Sequence, residues 1–98
     1  MSTNVVNLRA AKYDVYIGRP GKGQTSIWGN PARVGIDGTQ GECVQLFEDL
    51  MRKRIKENPD YWLGELKKLK GKTLGCFCKP RACHGDIIVK LIQEYFPD

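Results

Sequence analysis

The sequence has no long hydrophobic run and no recognisable export signal. A transmembrane helix needs about 18 consecutive apolar residues or more, and no stretch of this chain approaches that length. The N-terminus also lacks the basic segment followed by an apolar stretch that marks a secretory signal. We therefore expect a protein that crosses no membrane and remains in the cytoplasm.

Internal repeats, low-complexity segments and the composition of a disordered protein are also lacking. Hydrophobic residues make up 41% and charged residues 28% of the 98 residues, which is ordinary for a folded globular chain. A chain of this length does not divide its core between two domains. We expect one domain over residues 1–98.

Histidine occurs only once, whereas cysteine occurs four times. Without an export signal, the reducing cytosol favours thiol, metal-binding or catalytic roles over disulfide bridges. Three of the cysteines and the histidine lie within residues 76–84, so any chemistry is expected there. The net charge of +5 is compatible with a polyanionic partner, but a modest excess of lysine also keeps many soluble domains from associating.

Three segments have the apolar spacing of helices. Residues 40–57 follow Thr39, which starts a capping box with a glutamate three residues later. Residues 59–70 begin with a proline, suited to the first helical position, and contain leucines three residues apart. Residues 84–96 show the i, i+3, i+4, i+7, i+8 spacing of a buried helix face.

Three other segments are typical of strands. Residues 5–8 and 14–17 are short runs of mainly β-branched and aromatic side chains. Residues 73–78 form a compact apolar run, as in a strand buried on both faces. The sequence thus predicts an α/β domain with a short sheet, in which the strand near 73–78 is central and three helices pack around it.

The turn from this strand into the last helix carries the cysteines and the histidine. Cys76 and Cys78 share one face of the strand, and Cys83 and His84 begin the helix. Ligands of open α/β sheets bind at such carboxyl ends, where a helix N-terminus favours anions. The same field favours the thiolate form of Cys83. Asp86 is placed to interact with the helix dipole or to orient the imidazole.

Three interpretations of this turn remain open. Cysteine behaves as a small hydrophobe, so Cys76 and Cys43 are expected in the core. A zinc site is the second interpretation, although its spacing differs from the usual C-x₂₋₄-C knuckle; its ligands would be Cys76, Cys78, Cys83 and His84. The third, which we prefer, is a phosphate or nucleotide site with Cys83, His84 and Asp86 as catalytic candidates and Cys78, Lys79 and Gly85 as ligand-binding candidates.

A glycine-rich stretch over residues 18–41 supplies a second set of candidates. It is not a Walker A motif, because Lys22 is not followed by Ser or Thr and no helix begins there. Arg19 is a candidate phosphate clamp, Trp28 a stacking platform for a base or sugar, and Asn30 a hydrogen-bonding specificity group. The alternative is a surface loop that Trp28 attaches to the core, with Asn30 starting a turn.

Several ordered blocks of the sequence resemble the DUF4326 family of small bacterial and bacteriophage proteins, over about residues 4–94. The blocks are Val15-Tyr16-Ile17-Gly18-Arg19-Pro20, Trp28-Gly29-Asn30-Pro31, Gly35-Ile36-Asp37-Gly38-Thr39, and Leu74-Gly75-Cys76-Phe77-Cys78-Lys79-Pro80 with Cys83-His84-Gly85-Asp86. The family usually joins the first two blocks by a very short connection, whereas residues 21–27 intervene here. The resemblance implies a bacterial cytoplasm, or that of a host for a phage-encoded chain, and it implies no reaction.

Two classes of function follow from these observations. The preferred one is binding of a nucleotide-like or phosphate-bearing small molecule at the strand-to-helix turn, with hydrolysis or transfer as a further step. It requires a pocket that joins the glycine-rich loop to the turn. The alternative is a non-enzymatic interaction protein that acts on a host protein or nucleic acid through an exposed patch, with or without a structural zinc.

Overall fold

Three strands and three helices make up the part of the chain that the structure describes. The computed structural model describes residues 3–18, 26–33, 35–76 and 83–97. The elements, in chain order, are β1 (Asn4–Asn7), β2 (Val15–Tyr16), α1 (Gln40–Glu57), α2 (Pro59–Leu69), β3 (Thr73–Cys76) and α3 (His84–Tyr95). The α/β prediction is confirmed, with all three helices within one residue of their expected bounds. None of these helices is long and apolar enough to cross a membrane.

The sheet has the order β1-β3-β2, and β3 runs parallel to both neighbours. The predicted central strand is therefore confirmed. Backbone hydrogen bonds extend the pairing past the strand ends, since the N–H of Leu8 donates to the carbonyl of Cys76 and the N–H of Ile17 to that of Gly75, both at 3.1 Å. The carboxyl ends of all three strands thus meet at one edge of the sheet, which is where α/β proteins tend to bind ligands.

Two glycines allow close packing on opposite faces of the sheet. The connection from β1 to β2 passes over β3, and a Cβ atom at Gly75 would lie 2.6 Å from Cγ of Tyr13. On the other face, a Cβ atom at Gly85 would lie 2.7 Å from Cδ1 of Ile17 and 2.9 Å from Cγ1 of Val5. The first turn of α3 therefore rests directly on the sheet between β1 and β2.

The hydrophobic core lies between the sheet and the three helices. Helices α1 and α2 pack against α3 and against each other. Full burial of an aliphatic or aromatic side chain contributes about 1.5–3 kcal/mol, so this cluster supplies most of the stabilisation. Its members that are least exposed to solvent are Ile17, Phe47, Met51, Leu66, Leu74, Cys76, Cys83, Ile88 and Leu91.

The predicted capping box at the start of α1 is confirmed. The Oγ1 atom of Thr39 accepts a hydrogen bond from the N–H of Glu42 at 3.2 Å, and Oε1 of Glu42 accepts one from the N–H of Thr39 at 3.0 Å. The hydrogen bond from the backbone of Thr39 lowers the pKa of Glu42. The two donors at the start of α1 are thereby satisfied, which fixes where the helix begins.

Candidate functional site

Cys83 is the N-cap residue of α3 and forms a second reciprocal cap with Asp86. The N–H of Gly85 donates to Sγ of Cys83 at 3.3 Å, and the N–H of Cys83 donates to Oδ2 of Asp86 at 3.1 Å. Serine, threonine, asparagine and aspartate are the usual residues at this position, so a cysteine here is uncommon. The candidates Cys83, Gly85 and Asp86 together build the first turn of the helix.

His84 is buried, at 7% exposure, and both nitrogens of its ring face protein atoms. Its Nε2 lies 2.6 Å from the carbonyl oxygen of Ile17. Because a carbonyl can only accept a hydrogen bond, Nε2 carries the proton. In a neutral imidazole Nδ1 is then the acceptor, and this atom lies 3.7 Å from Sγ of Cys83. The ring of Phe47 packs edge-on to the imidazole with centroids 5.1 Å apart. His84 is therefore placed to accept the thiol proton of Cys83.

Cys76 brings a second thiol to the same point. Its Sγ lies 2.7 Å from Sγ of Cys83, and the two residues are 1% and 0% exposed. Neither cysteine forms a disulfide bond. Three of the four residues in the zinc hypothesis thus come together, while Cys78 lies outside the described residues. Within the ranges that the structure describes, no group of three or more His, Cys, Asp or Glu side chains is arranged to hold a metal ion.

Trp28 and Asn30 anchor their segment to the helices. Trp28 is 4% exposed and packs edge-on against Trp62 of α2, with ring centroids 5.6 Å apart. The Nδ2 of Asn30 donates to the carbonyl of Cys43 at 2.9 Å, and its Oδ1 accepts from the N–H of Ala32 at 3.0 Å. Arg19, the third candidate of the glycine-rich stretch, and Lys79, a candidate of the strand-to-helix turn, lie outside the described residues.

A groove lies between β2, the segment 26–28 and α2. Its volume is about 520 Å³. Aromatic side chains form much of its wall, and α2 contributes a glutamate and a lysine. The lining includes Tyr16, Ile27, Trp28, Tyr61, Glu65 and Lys68. Of these residues, the sequence predicted only Trp28 as a candidate. The groove therefore adds new candidates to the site.

Trp62 holds two of the groove's aromatic side chains in place. Besides its contact with Trp28, it packs edge-on against Tyr61, with ring centroids 5.1 Å apart and an interplanar angle of 89°. The guanidinium of Arg54 lies over the Trp62 ring at 5.0 Å. Edge-to-face pairs of this kind add about 0.5–1.5 kcal/mol each beyond area burial. Contacts within the protein thus hold the aromatic wall in place.

Two consecutive residues of the chain contact the groove and the Cys83–His84 pair, respectively. Tyr16 lines the groove, and the following residue, Ile17, holds the imidazole of His84 through its carbonyl. Alternation along a strand places these two side chains on opposite faces of the sheet. The segment that lines the groove with Tyr16 therefore also orients His84 through the carbonyl of Ile17.

Comparison with known proteins identifies relatives of the chain. Residues 3–94 match the family described as "Domain of unknown function (DUF4326)". A protein of Enterobacteria phage T4, named "Uncharacterized 12.4 kDa protein in nrdA-td intergenic region", is 38% identical over 95 residues, which cover 96% of this chain and 81% of the phage protein. No solved structure matches the chain significantly. The expected resemblance is confirmed, and the chain belongs to the DUF4326 family.

Proposed function

We propose that this protein binds a nucleotide-like or phosphate-bearing small molecule in the groove beside β2. The observation that carries the proposal is that Tyr61, which is exposed, and Tyr16, which is half-buried, line the groove together with Lys68. Aromatic side chains provide stacking surfaces for bases, and stacking contributes about 1–3 kcal/mol per base. Lysine is a common phosphate ligand. The groove thus offers partners for both halves of a nucleotide.

Lys68 is free to exchange its present partner for a phosphate. Its Nζ lies 3.0 Å from Oε1 of Glu65, and its side chain is 71% exposed. Exposed ion pairs contribute about 0–1 kcal/mol, so the pair with Glu65 offers little resistance to an anionic ligand. The net charge of +5 also favours the approach of such a ligand.

Chemistry on the ligand is a separate step of the proposal. Hydrolysis or transfer would use Cys83 as nucleophile, His84 as its base and Asp86 as the residue that fixes the turn. The 3.7 Å contact between Nδ1 of His84 and Sγ of Cys83 supports these roles. Because Cys83 is 0% exposed, a ligand would reach it only when this edge of the domain opens. Binding in the groove does not require these residues.

A thermal-shift screen followed by titration calorimetry tests the binding step. The probes are ATP, ADP-ribose and inorganic phosphate, since a ligand of the native state raises the melting temperature by mass action. We expect a nucleotide to raise it, and we expect Tyr61→Ala and Lys68→Ala each to weaken binding about tenfold, or about 1.4 kcal/mol.

Two substitutions outside the groove are matched controls. Tyr95→Ala removes a tyrosine of α3 that is 39% exposed, against 45% for Tyr61, and Lys67→Ala removes an exposed lysine of α2. Both should bind like the wild type. The proposal fails if no probe stabilises the protein, or if the controls weaken binding as much as the groove variants.

The alternative is a non-enzymatic interaction protein. The phage T4 relative, the excess positive charge and the exposed side chains of Ile36 and Leu46 favour it. A partner contacted mainly through charge is a polyanion such as a nucleic acid, whose binding weakens steeply with salt. An oligonucleotide in the same screen covers this case. In both cases we propose the cytoplasm, bacterial or that of a phage host, as the location.

A further inference from the structure

We propose that Cys76 and Cys83 form a redox-active pair that reacts with low-molecular-weight disulfides, such as oxidised glutathione, and closes into an intramolecular disulfide bond. The two sulfurs lie 2.7 Å apart and the imidazole of His84 faces one of them. This activity does not depend on the ligand proposed for the groove, because Cys76, Cys83 and His84 are not among the residues that line the groove.

A strand and a helix position the two thiols next to each other. Cys76 is the last residue of β3, and its carbonyl accepts a hydrogen bond from the N–H of Leu8. Cys83 is fixed by its reciprocal cap with Asp86. A disulfide bond is about 2.05 Å long, so the sulfurs need to approach each other by well under 1 Å. Bond formation therefore requires only a short movement of the two sulfur atoms towards each other.

Cys43 is the comparison within the same protein, because it is a buried cysteine to which we assign no redox role. It is buried on α1, and its S–H donates to the carbonyl of Gly38 at 3.8 Å. Buried free cysteines of this kind act as small hydrophobic residues. Cys76 and Cys83 differ because each lies against a second sulfur, and Cys83 also lies against a base. Cys43 is for that reason the natural internal control.

The reaction proceeds in two exchange steps. In the first, Nδ1 of His84 takes the thiol proton of Cys83, and the thiolate attacks one sulfur of the small disulfide. A mixed disulfide forms on Cys83, and the released thiolate takes the proton from His84. In the second, the thiol of Cys76 loses its proton to solvent and attacks Sγ of Cys83, which releases the second small thiolate. The protein loses two electrons and two protons, and the small disulfide becomes two thiols.

The burial of the two cysteines limits the rate of their oxidation, and their position determines how the disulfide bond affects stability. Both cysteines are buried, so a small disulfide reaches them only when this edge of the domain opens locally. Oxidation should therefore be accelerated by low concentrations of urea that leave the fold intact. Once formed, the bond joins the end of β3 to the first turn of α3. The oxidised protein should melt at a higher temperature than the reduced one.

The test is oxidation of the purified full-length protein with glutathione disulfide. Samples are quenched with acid, alkylated with N-ethylmaleimide, weighed intact and digested for peptide mapping. We expect two of the four cysteines to lose alkylation and one cross-linked peptide to join Cys76 to Cys83. Mapping on the wild type makes the result independent of whether any variant folds.

Variants then separate the roles of the three residues. Cys76→Ser should accumulate a glutathione mixed disulfide on Cys83, because the resolving thiol is missing. Cys83→Ser should form neither product, and Cys43→Ser should behave like the wild type. His84→Gln should slow the first step at least tenfold near neutral pH and move its pH profile to the higher pH at which an unassisted thiol ionises, which a purely structural role of His84 would not do.

Three results would overturn the inference. One is a cross-link that joins Cys78 to Cys76 or to Cys83 in place of the expected pair. Another is full alkylation of all four cysteines after prolonged exposure to glutathione disulfide in mild urea. The third is stoichiometric zinc in the purified protein that protects Cys76 and Cys83 until a chelator removes it, since a metal site would then explain their proximity.

Discussion

The carbonyl oxygen of Ile17 lies 2.6 Å from Nε2 of His84 and so determines which nitrogen of the only histidine carries a proton. The two residues are 67 positions apart in the chain. One follows β2 and the other begins α3, so the contact ties the edge of the sheet to the helix that caps it. The same contact turns Nδ1 towards Cys83, and it makes His84 both a structural and a chemical residue.

Loss of the imidazole should cost stability because it leaves a buried acceptor without its donor. We expect His84→Ala to lower the free energy of unfolding by about 1–3 kcal/mol through the unsatisfied carbonyl of Ile17, in addition to lost packing against Phe47. His84→Gln retains an N–H at a similar reach and should lose less. Urea denaturation of the three proteins measures the difference. Equal losses in the two variants would show that the hydrogen bond contributes nothing.

Replacement of the cap residue should separate the structural role of Cys83 from its chemistry. Serine is a favoured N-cap residue, so Cys83→Ser should fold with a stability within about 1 kcal/mol of the wild type. Cys83→Ala removes the acceptor for the N–H of Gly85 and should cost about 0.5–2 kcal/mol. Thermal or urea unfolding checks both values. A Cys83→Ser protein that unfolds as readily as Cys83→Ala would contradict the capping role.

Gly75 should be intolerant of a side chain because Tyr13 occupies the space above it. A Cβ atom there would lie 2.6 Å from Cγ of the Tyr13 ring, so Gly75→Ala should cost about 1–3 kcal/mol through overpacking. The cost should shrink when Tyr13→Ala is present, which a double-mutant cycle measures.

The control for Gly75→Ala is a glycine that has space around it. At Gly64, on the exposed face of α2, no atom lies within 4 Å of an added Cβ. Gly64→Ala should stabilise the protein by about 0.5–1 kcal/mol, because alanine is the better helix residue. Equal changes in stability in the two alanine variants would show that the connection from β1 to β2 does not pass over β3.

Glu48 should make stability depend on acidic pH. Hydrogen bonds from Arg52 at 2.9 Å and from Lys90 at 3.1 Å lower its pKa below the ordinary value of 4.5. A carboxylate whose pKa is lower in the folded state stabilises the fold above its unfolded pKa. That contribution is lost as the pH falls below about 4.5 and through the folded pKa.

Unfolding curves between pH 7 and pH 2.5 test this dependence. Glu48→Gln should be less stable than the wild type at pH 7, and the difference should narrow at the acidic end. Glu57→Gln, at the exposed end of α1, is the matched control and should track the wild type. A constant difference between Glu48→Gln and the wild type across the range would contradict the prediction.

The helices were predictable because their signals are local. The capping box at Thr39 and the proline at position 59 set where α1 and α2 begin, and both helices begin there. The last helix was recognised from the spacing of its buried face, and it ends at Tyr95, one residue before the expected bound. The central strand was recognised from its apolar run, and its described part ends at Cys76.

The site was predictable only in part because it depends on contacts between distant segments. The sequence placed Cys83 and His84 at a strand-to-helix turn and assigned Cys76 to the core, where it lies at 1% exposure. It could not show that the sulfur of Cys76 lies against that of Cys83. Tyr16 and Tyr61 were not named, since only the packing of α2 beside β2 brings them together. One signal was present: Tyr61 and Lys68 are seven residues apart on α2 and therefore share a face.

Two-dimensional ¹H–¹⁵N NMR of the labelled protein during titration with a nucleotide shows whether the ligand binds in the groove. We expect the largest shifts on the amides of Tyr16, Trp28, Tyr61 and Lys68 and on the indole N–H of Trp28, with saturation at one ligand per chain. An unchanged spectrum, or shifts confined to the basic face of α1 around Arg52 and Lys53, would contradict this expectation.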